Sequence, residues 1–169
     1  MRPVIEAADG GVALIVRTSY ADDAGWRSVV TALDTPPFVG AVPANQYVDD
    51  PAWDGATVDE VLAAVPSMFR VVFVADAAAM VAPHPLLAAN TVRAEDCDDE
   101  QYAYELENGR EFRALPAGVY DVSANLFVDN MDFPEYAAMA LRDPAGHYQG
   151  LAATDRGRMA LDAFFGSRG

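Results

Sequence analysis

Residues 70–76 read Arg-Val-Val-Phe-Val-Ala-Asp and decide the fold class. They form a short apolar run, rich in β-branched and aromatic residues, between Pro66 and three alanines. Such a run is typical of a strand that is buried on both faces in the middle of an α/β sheet. Ligands of open α/β sheets bind beyond the carboxyl ends of the strands. Asp76, which ends the run, therefore occupies a position where a functional site is expected.

The sequence before this strand alternates between strand and helix patterns. An apolar strand at residues 12–18 precedes a helix that carries an i, i+3, i+4, i+7 stripe from Trp26 to Leu33. A weaker strand at 38–48 is interrupted by Pro43, which predicts an edge position. A second helix starts at the capping box of Thr57 and Glu60. This β-α-β-α order predicts an α/β fold.

The second half of the chain is more mixed. We predict a short helix at 76–80, a strand at 86–92, a hairpin of 102–106 with 112–115 around Asn108-Gly109, a short helix at 116–122, a strand at 125–128, a helix after Asp132 and a C-terminal helix at 155–165. Together these segments predict one α/β domain over residues 1–169, with a mixed five- to six-stranded sheet and helices on both faces. Its core is expected at about residues 12–150.

The charge of the chain limits its partners. The formal net charge is −15, and seven acids fall within residues 95–107, a block that we expect to form a solvated loop or a protruding hairpin. An acidic balance argues against direct binding to nucleic acid or to anionic membranes, which need basic patches. The partner is therefore expected to be a protein or a small ligand, and a homodimer is a further expectation.

Two residue counts exclude several chemistries. No lysine is present, which excludes a Schiff base or a phosphate-loop lysine in this chain. Cys97 is the only cysteine, so an internal disulfide and a cysteine-based zinc site are excluded, and its acidic neighbours disfavour a nucleophilic thiolate. No apolar segment is long enough to span a membrane and the N-terminus lacks a signal-like stretch, so we expect a cytoplasmic protein.

Several short motifs resemble a known family. They are Val-Arg-Thr-Ser-Tyr-Ala-Asp-Asp at 16–23, Asp-Asp-Pro-Ala-Trp-Asp-Gly at 49–55, His-Pro-Leu at 84–86 and Asn-Met-Asp-Phe at 130–133. In this order they resemble a family of small, mainly actinobacterial domains of unknown function. The resemblance covers roughly residues 12–150 and leaves the last predicted helix outside. It implies one compact module, and it implies neither an activity nor catalytic residues.

Acidic residues follow the first three predicted strands. If these strands are parallel, Asp22, Asp49 and Asp76 lie at one edge of the sheet, together with Arg17 and His84. Carboxylates suit Mg²⁺, so these three aspartates are candidate metal ligands. Asp76, Arg17 and His84 are the candidate catalytic residues of a cation-dependent enzyme. The alternative, which we favour, is that the aspartates cap helices and form turns.

Three functions are compatible with these patterns, and the sequence leaves open whether the protein is an enzyme. The favoured hypothesis is a non-enzymatic binding or interaction module without a cofactor, because no catalytic motif stands out. The second is a small enzyme that uses a cation such as Mg²⁺ at the carboxyl edge of the sheet. The third is an acidic decoy for a nucleic-acid-binding protein, which would need charges spread over a surface and not concentrated in one block.

Overall fold

The computed structural model describes residues 1–6 and 9–153. Six strands form one sheet in the order β2-β1-β3-β4-β5-β6. The strands are β1 (Ala13–Arg17), β2 (Asn45–Val48), β3 (Val71–Ala75), β4 (Leu86–Asn90), β5 (Glu111–Ala114) and β6 (His147–Tyr148). The described α-helices are α1 (Asp23–Asp34), α2 (Val58–Ala64), α3 (Asp99–Glu105), α4 (Pro116–Phe127) and α5 (Phe133–Arg142).

The sheet is mixed, with β3 near its middle. β2, β1 and β3 are parallel, β4 runs antiparallel to β3 and to β5, and β6 is parallel to β5. Every residue of β3 is buried, as its apolar sequence predicts. The register pairs Arg17 with Ala75. The carboxyl ends of β1 and β3 therefore meet at one edge of the sheet.

Helices cover both faces of the sheet, which confirms the predicted α/β class. On one face α1, α4 and α5 pack over the sheet around Phe73 and Tyr136. On the other face α2 packs with Trp53 and Val72. Each cluster contains buried apolar side chains from the helices and from the sheet. Burial of this apolar surface stabilises the packing of the helices on the sheet.

Local capping sets where the helices begin. Asp22 caps α1, because one of its carboxylate oxygens accepts a hydrogen bond from the Gly25 N–H at 2.8 Å. A Cβ on Gly25 would lie 2.6 Å from the Met80 carbonyl oxygen, so this close approach requires glycine. The predicted capping box of Thr57 and Glu60 is present at the start of α2.

The acidic block is a helix, and the predicted hairpin is wrong. Asp98 accepts a hydrogen bond from the Gln101 N–H at 2.8 Å and caps α3. Acids in the first helical turn interact favourably with the unpaired N–H groups there, so the block helps the helix to begin. The turn at Asn108-Gly109 exists, with φ of 68° and 100°. It connects α3 to β5 and does not join two strands.

Three further predictions about the second half are corrected. The predicted short helix 116–122 extends to Phe127 as α4, which replaces the predicted strand at 125–128. Buried Val119, Val122 and Leu126 follow a helical spacing. Residues 76–80 form a turn and not a helix, since the Ala79 N–H donates to the Asp76 carbonyl in an i+3 bond.

Only the last four residues of the strand predicted at 38–48 are in the sheet. They form β2, which is an edge strand as expected. The predicted C-terminal helix at 155–165 lies outside the described residues. Within residues 1–6 and 9–153, no helix has the length and apolar character that crossing a bilayer requires.

Candidate functional site

The carboxyl edge of the sheet is organised around Arg17, the last residue of β1. Its side chain is only 5% exposed. The guanidinium donates from Nε to the Ser19 carbonyl at 2.9 Å, from Nη1 to an Asp49 carboxylate oxygen at 3.2 Å and from Nη2 to Asp23 at 2.5 Å. Two of the acids that follow β1 and β2 therefore meet at one cation, as parallel strands predict.

Aromatic rings complete the surroundings of Arg17. Its Cζ atom lies 4.1 Å from the ring centroid of Tyr20 and 5.4 Å from that of Trp26. The indole N–H of Trp26 donates to the other carboxylate oxygen of Asp49 at 2.8 Å. Burial alone would lower the pKa of Arg17, but its hydrogen bonds to Asp23 and Asp49 raise that pKa. Arg17 therefore stays charged and fills this cation-binding arrangement itself.

Asp76 belongs to a second cluster at the same edge. Its two carboxylate oxygens accept from Nη1 and Nη2 of Arg113 at 2.8 Å and 2.7 Å, and one also accepts from the Ala79 N–H at 3.3 Å. Burial opposes ionisation, yet Arg113 holds the pKa of Asp76 below its ordinary value. Nδ1 of His84 lies 2.9 Å from the Ala79 carbonyl oxygen. Asp76 is thus an ionised partner of Arg113.

The predicted site residues therefore occupy three local arrangements. Asp49 pairs with Arg17, Asp76 pairs with Arg113, and Asp22 caps α1. Among the residues that the structure describes, no group of three or more His, Cys, Asp or Glu side chains is placed to hold a metal ion. Magnesium binding at Asp22, Asp49 and Asp76 stays a prediction.

A cleft opens beside the Arg17 cluster, between α1 and the edge strand β2. Its volume is about 650 Å³. The lining residues are Arg17, Asp23, Trp26, Arg27, Val30, Thr31, Tyr47 and Asp49. The two carboxylates of this cleft, Asp23 and Asp49, both accept hydrogen bonds from Arg17. They are therefore already paired with a cation of the same chain.

A buried glutamate anchors α3 to the sheet. Glu105 accepts hydrogen bonds from the side-chain amides of Asn90 and Gln101, both at 3.1 Å, and forms an ion pair with Arg70 at 3.5 Å. The other acids of residues 95–107 are exposed. Glu105 therefore fixes the helix, and the helix presents the remaining carboxylates in an ordered array.

A groove lies beside α3 along the outer face of α5. We call it the α5 groove. Its first part has a volume of about 460 Å³ and is lined by Tyr104, Glu107, Asn108, Met131, Pro134, Glu135, Ala138, Met139 and Arg142. Its second part, of about 310 Å³, shares Met139 and Arg142 and extends past Asp143, Pro144, His147, Tyr148, Gln149 and Gly150.

The groove results from a second stripe on α5. Phe133, Tyr136, Ala137 and Ala140 face the core. Glu135, Ala138, Met139 and Arg142 repeat at i, i+3, i+4 and i+7 on the other side, where they line the groove. One face of α5 therefore packs against the core, and the opposite face lines the groove.

Charge and shape at the groove are set by α3 and by the start of α5. The Tyr104 hydroxyl donates to an Asp132 carboxylate oxygen at 3.2 Å. Burial and the charge of Asp132 raise the pKa of Tyr104. The Asp132 N–H donates to a Glu135 carboxylate oxygen at 2.7 Å, which is half of a capping box at the start of α5. The groove was not predicted from the sequence, although the 135/138/139/142 spacing is visible there.

Comparisons with known proteins place most of the chain in one family model. A family model described as "Domain of unknown function (DUF6924)" matches residues 12–151. This match confirms the predicted membership in a family of unknown function, over nearly the predicted residues. No curated protein and no solved structure matches the chain.

Proposed function

The chain belongs to the family described as a domain of unknown function (DUF6924), and we propose that it is a non-enzymatic protein-interaction module. Its α5 groove binds a basic, amphipathic segment of a partner protein. The observation that supports this function is the α5 groove itself, which is lined by two methionines and by the exposed carboxylates of Glu107, in the turn after α3, and Glu135, on α5.

The floor of the groove suits an apolar side chain. Met131 and Met139 are half-buried and Pro134 is buried, so they leave a shallow apolar surface beside the ring of Tyr104. Methionine is flexible and polarizable, and surfaces that accept peptides of varied shape use it often. A partner helix could place residues at i, i+3 and i+4 in such a groove.

The rim of the groove suits a basic segment. Glu107 and Glu135 are exposed at the groove. The whole chain carries a net charge of −15, and a field of this sign accelerates the approach of a positively charged partner. Arg142 lies where the two parts of the groove meet and gives that point the opposite charge.

A peptide-display selection against the full chain tests this function. Recovered peptides are expected to combine arginine or lysine with apolar residues. Their affinity is expected to fall about 3- to 10-fold in Glu107→Gln and more in Met139→Gln, since a charge at an interface rim contributes less than an apolar anchor. Glu6→Gln removes one exposed carboxylate from another region and serves as the matched control. Peptides without basic residues, or equal loss in the control, would refute the proposal.

A cation-dependent enzyme is the second candidate. The observation in its favour is that Asp23 and Asp49, with side chains 71% and 43% exposed, converge at the carboxyl edge of the sheet. Its test is the melting temperature in Mg²⁺ or Mn²⁺, which must rise in the wild type and rise less in Asp49→Asn. No shift, or an equal shift in both proteins, eliminates this candidate.

The decoy hypothesis makes a separate prediction about salt. A complex that relies on imitation of phosphates must weaken steeply as the salt concentration rises. Binding to the α5 groove also involves apolar contacts, so its salt dependence is expected to be shallower. A steep salt dependence that is unchanged in Met139→Gln would favour the decoy.

A further inference from the structure

The cleft between α1 and β2 has an apolar wall that is held in place by its own hydrogen bonds. The rings of Trp26 and Tyr47 meet edge to face, with centroids 5.8 Å apart and an interplanar angle of 87°. The Trp26 indole N–H donates to Asp49 at 2.8 Å, and the Tyr47 hydroxyl donates to Asp34 at 2.6 Å. Because the polar atoms of both rings are bonded within the chain, their carbon atoms and Val30 are what a ligand meets at this wall.

Arg27 is a cation without an ion-pair partner at the same cleft. It follows Asp23 by four residues on α1, a spacing at which an acid and an arginine usually pair. Asp23 is instead bonded to Arg17 at 2.5 Å. In the part of the chain that the structure describes, the Arg27 guanidinium forms no ion pair. The exposed side chain of Arg27 is therefore available to bind an anionic group.

Asp23 supplies the opposite charge beside Arg27. Its side chain is 71% exposed, and its Oδ1 atom accepts the hydrogen bond from Arg17. That hydrogen bond and the nearby charges of Arg17 and Arg27 lower the pKa of Asp23, so its carboxylate is ionised. The Oδ2 atom accepts no hydrogen bond from the described residues and is available to a cationic group of a ligand.

The charges of the cleft and of the whole chain select the kind of ligand. Two arginines and two aspartates line the cleft, so its own charges cancel. A ligand with a net negative charge is repelled by the field of a chain with a net charge of −15. A ligand with a net positive charge comes close to both Arg17 and Arg27. A zwitterion, whose opposite charges lie close together, meets neither obstacle.

We propose that this cleft binds a free α-amino acid with an apolar or aromatic side chain. The carboxylate of the ligand accepts hydrogen bonds from Arg27, and its ammonium group donates to Asp23. Its side chain contacts Trp26, Val30 and Tyr47. The cleft volume of about 650 Å³ is typical of small-molecule sites, and the cleft lies at the carboxyl ends of the parallel strands β1 and β2, where α/β sheets bind ligands. This site is separate from the α5 groove and does not depend on the peptide binding proposed there.

The two tryptophan indole N–H groups report binding in the full chain. Trp26 lines the cleft, whereas Trp53 is fully buried in the core on the other face of the sheet. ¹⁵N-labelled protein is titrated with phenylalanine at neutral pH in EDTA, which prevents a divalent cation from linking the ligand to the aspartates, and Trp53→Phe assigns the signals. The Trp26 signal is expected to shift in a saturable way with a Kd on the order of millimolar, while the Trp53 signal stays in place. No saturable shift of Trp26 would overturn the proposal.

Analogues of phenylalanine separate the contributions of its three parts. 3-Phenylpropionate lacks the ammonium group, 2-phenylethylamine lacks the carboxylate, and glycine lacks the apolar side chain. Each analogue is expected to bind at least about 3-fold more weakly than phenylalanine, since an exposed ion pair contributes a factor of this size and the apolar side chain at least as much. Equal affinity of either singly charged analogue would refute zwitterion binding, and equal affinity of glycine would refute the contact with the apolar wall.

A matched pair of variants tests the role of Arg27. Thr31 is exposed, lines the cleft and follows Arg27 by four residues on α1. Aspartate at this position gives Arg27 an internal partner, whereas asparagine, which has the same shape, does not. The affinity for phenylalanine is therefore expected to be about 2- to 5-fold lower in Thr31→Asp than in Thr31→Asn.

Direct removal of the guanidinium gives a second comparison. Arg27→Gln is expected to weaken phenylalanine binding by a similar factor of about 2 to 5. Arg110→Gln removes an exposed arginine that pairs with Asp59 outside the cleft, and it is expected to bind phenylalanine like the wild type. Equal affinities of Arg27→Gln and Arg110→Gln, together with equal affinities of the two Thr31 variants, would overturn the proposal.

Discussion

Arg17→Met is expected to destabilise the domain strongly, because Arg17 is the structural centre of the carboxyl edge. The substitution keeps much of the apolar length but removes every guanidinium hydrogen bond. The bond to the Ser19 carbonyl is charge-assisted and part-buried, and such a bond is worth about 1.5–3 kcal/mol. Asp23 and Asp49 are 71% and 43% exposed, so water screens their pairs and each contributes about 0–1 kcal/mol.

These contributions predict a loss of about 1.5–5 kcal/mol in the free energy of unfolding. For a chain of this size, a loss of 1 kcal/mol lowers Tm by roughly 2–4 °C, so Tm is expected to fall by roughly 3–20 °C. Circular dichroism measures Tm, and urea titration with the same signal measures the unfolding free energy. Tryptophan fluorescence of a Trp53→Phe background reports on the cluster, since the Trp26 indole N–H donates to Asp49.

Arg27→Gln is the matched control. Arg27 is an exposed arginine at the same cleft, and its replacement is expected to change stability by less than about 0.5 kcal/mol. If Arg17→Met and Arg27→Gln lower Tm by the same small amount, the structural role of Arg17 is refuted. In that case Arg17 would again be available for a functional role at the carboxyl edge.

The surroundings of α4 and of Cys97 give further predictions. Gly118→Ala places a Cβ 2.7 Å from the Tyr148 ring, so calorimetry is expected to show a loss of about 1–3 kcal/mol, and unchanged stability would contradict this packing. Burial raises the pKa of Asp121, so the stability that this group contributes is complete below about pH 4 and is lost as the pH rises through the raised pKa. In urea titrations across this window the wild type should lose stability relative to Asp121→Asn, and parallel pH profiles would disprove it. Burial and nearby acids raise the pKa of Cys97, so iodoacetamide should modify it more slowly at pH 7 than it modifies a model thiol, and faster modification would contradict this environment.

The parts of the fold that depend on local patterns were predictable from the sequence. β3 was recognisable because a strand buried on both faces needs no alternation of apolar and polar residues. The capping box at Thr57 and Glu60 was recognisable because both partners lie within one helical turn. The convergence of Arg17 and Asp49 followed from the parallel order of the first strands.

The errors arose where tertiary contacts decide the local structure. Seven acids in residues 95–107 suggested a solvated loop, but Asp98 caps a helix there and Glu105 is anchored by Asn90, fifteen residues away in sequence. The apolar residues near position 126 fit a strand as well as a helix over a short window. Packing of Val119, Val122 and Leu126 on the sheet selects the helix.

The candidate site was only partly predictable for a similar reason. The sequence indicated Asp76 as a residue at the carboxyl edge, but the pairing with Arg113 depends on β4 and β5 and cannot be derived from nearby residues. The α5 groove combines residues of α3, α5 and the segment between them, so its shape exists only after these elements pack. The 135/138/139/142 stripe was the available signal.

A methionine-methyl NMR titration of the full chain with a selected basic peptide tests the binding function of the α5 groove most directly. The signals of Met131 and Met139 are expected to shift in a saturable way, while those of Met68 and Met80 stay in place. Glu107→Gln is expected to weaken the titration, and Glu6→Gln is not. Shifts confined to Met68 or Met80, or no shift at Met131 and Met139 at saturating peptide, would refute binding at the α5 groove.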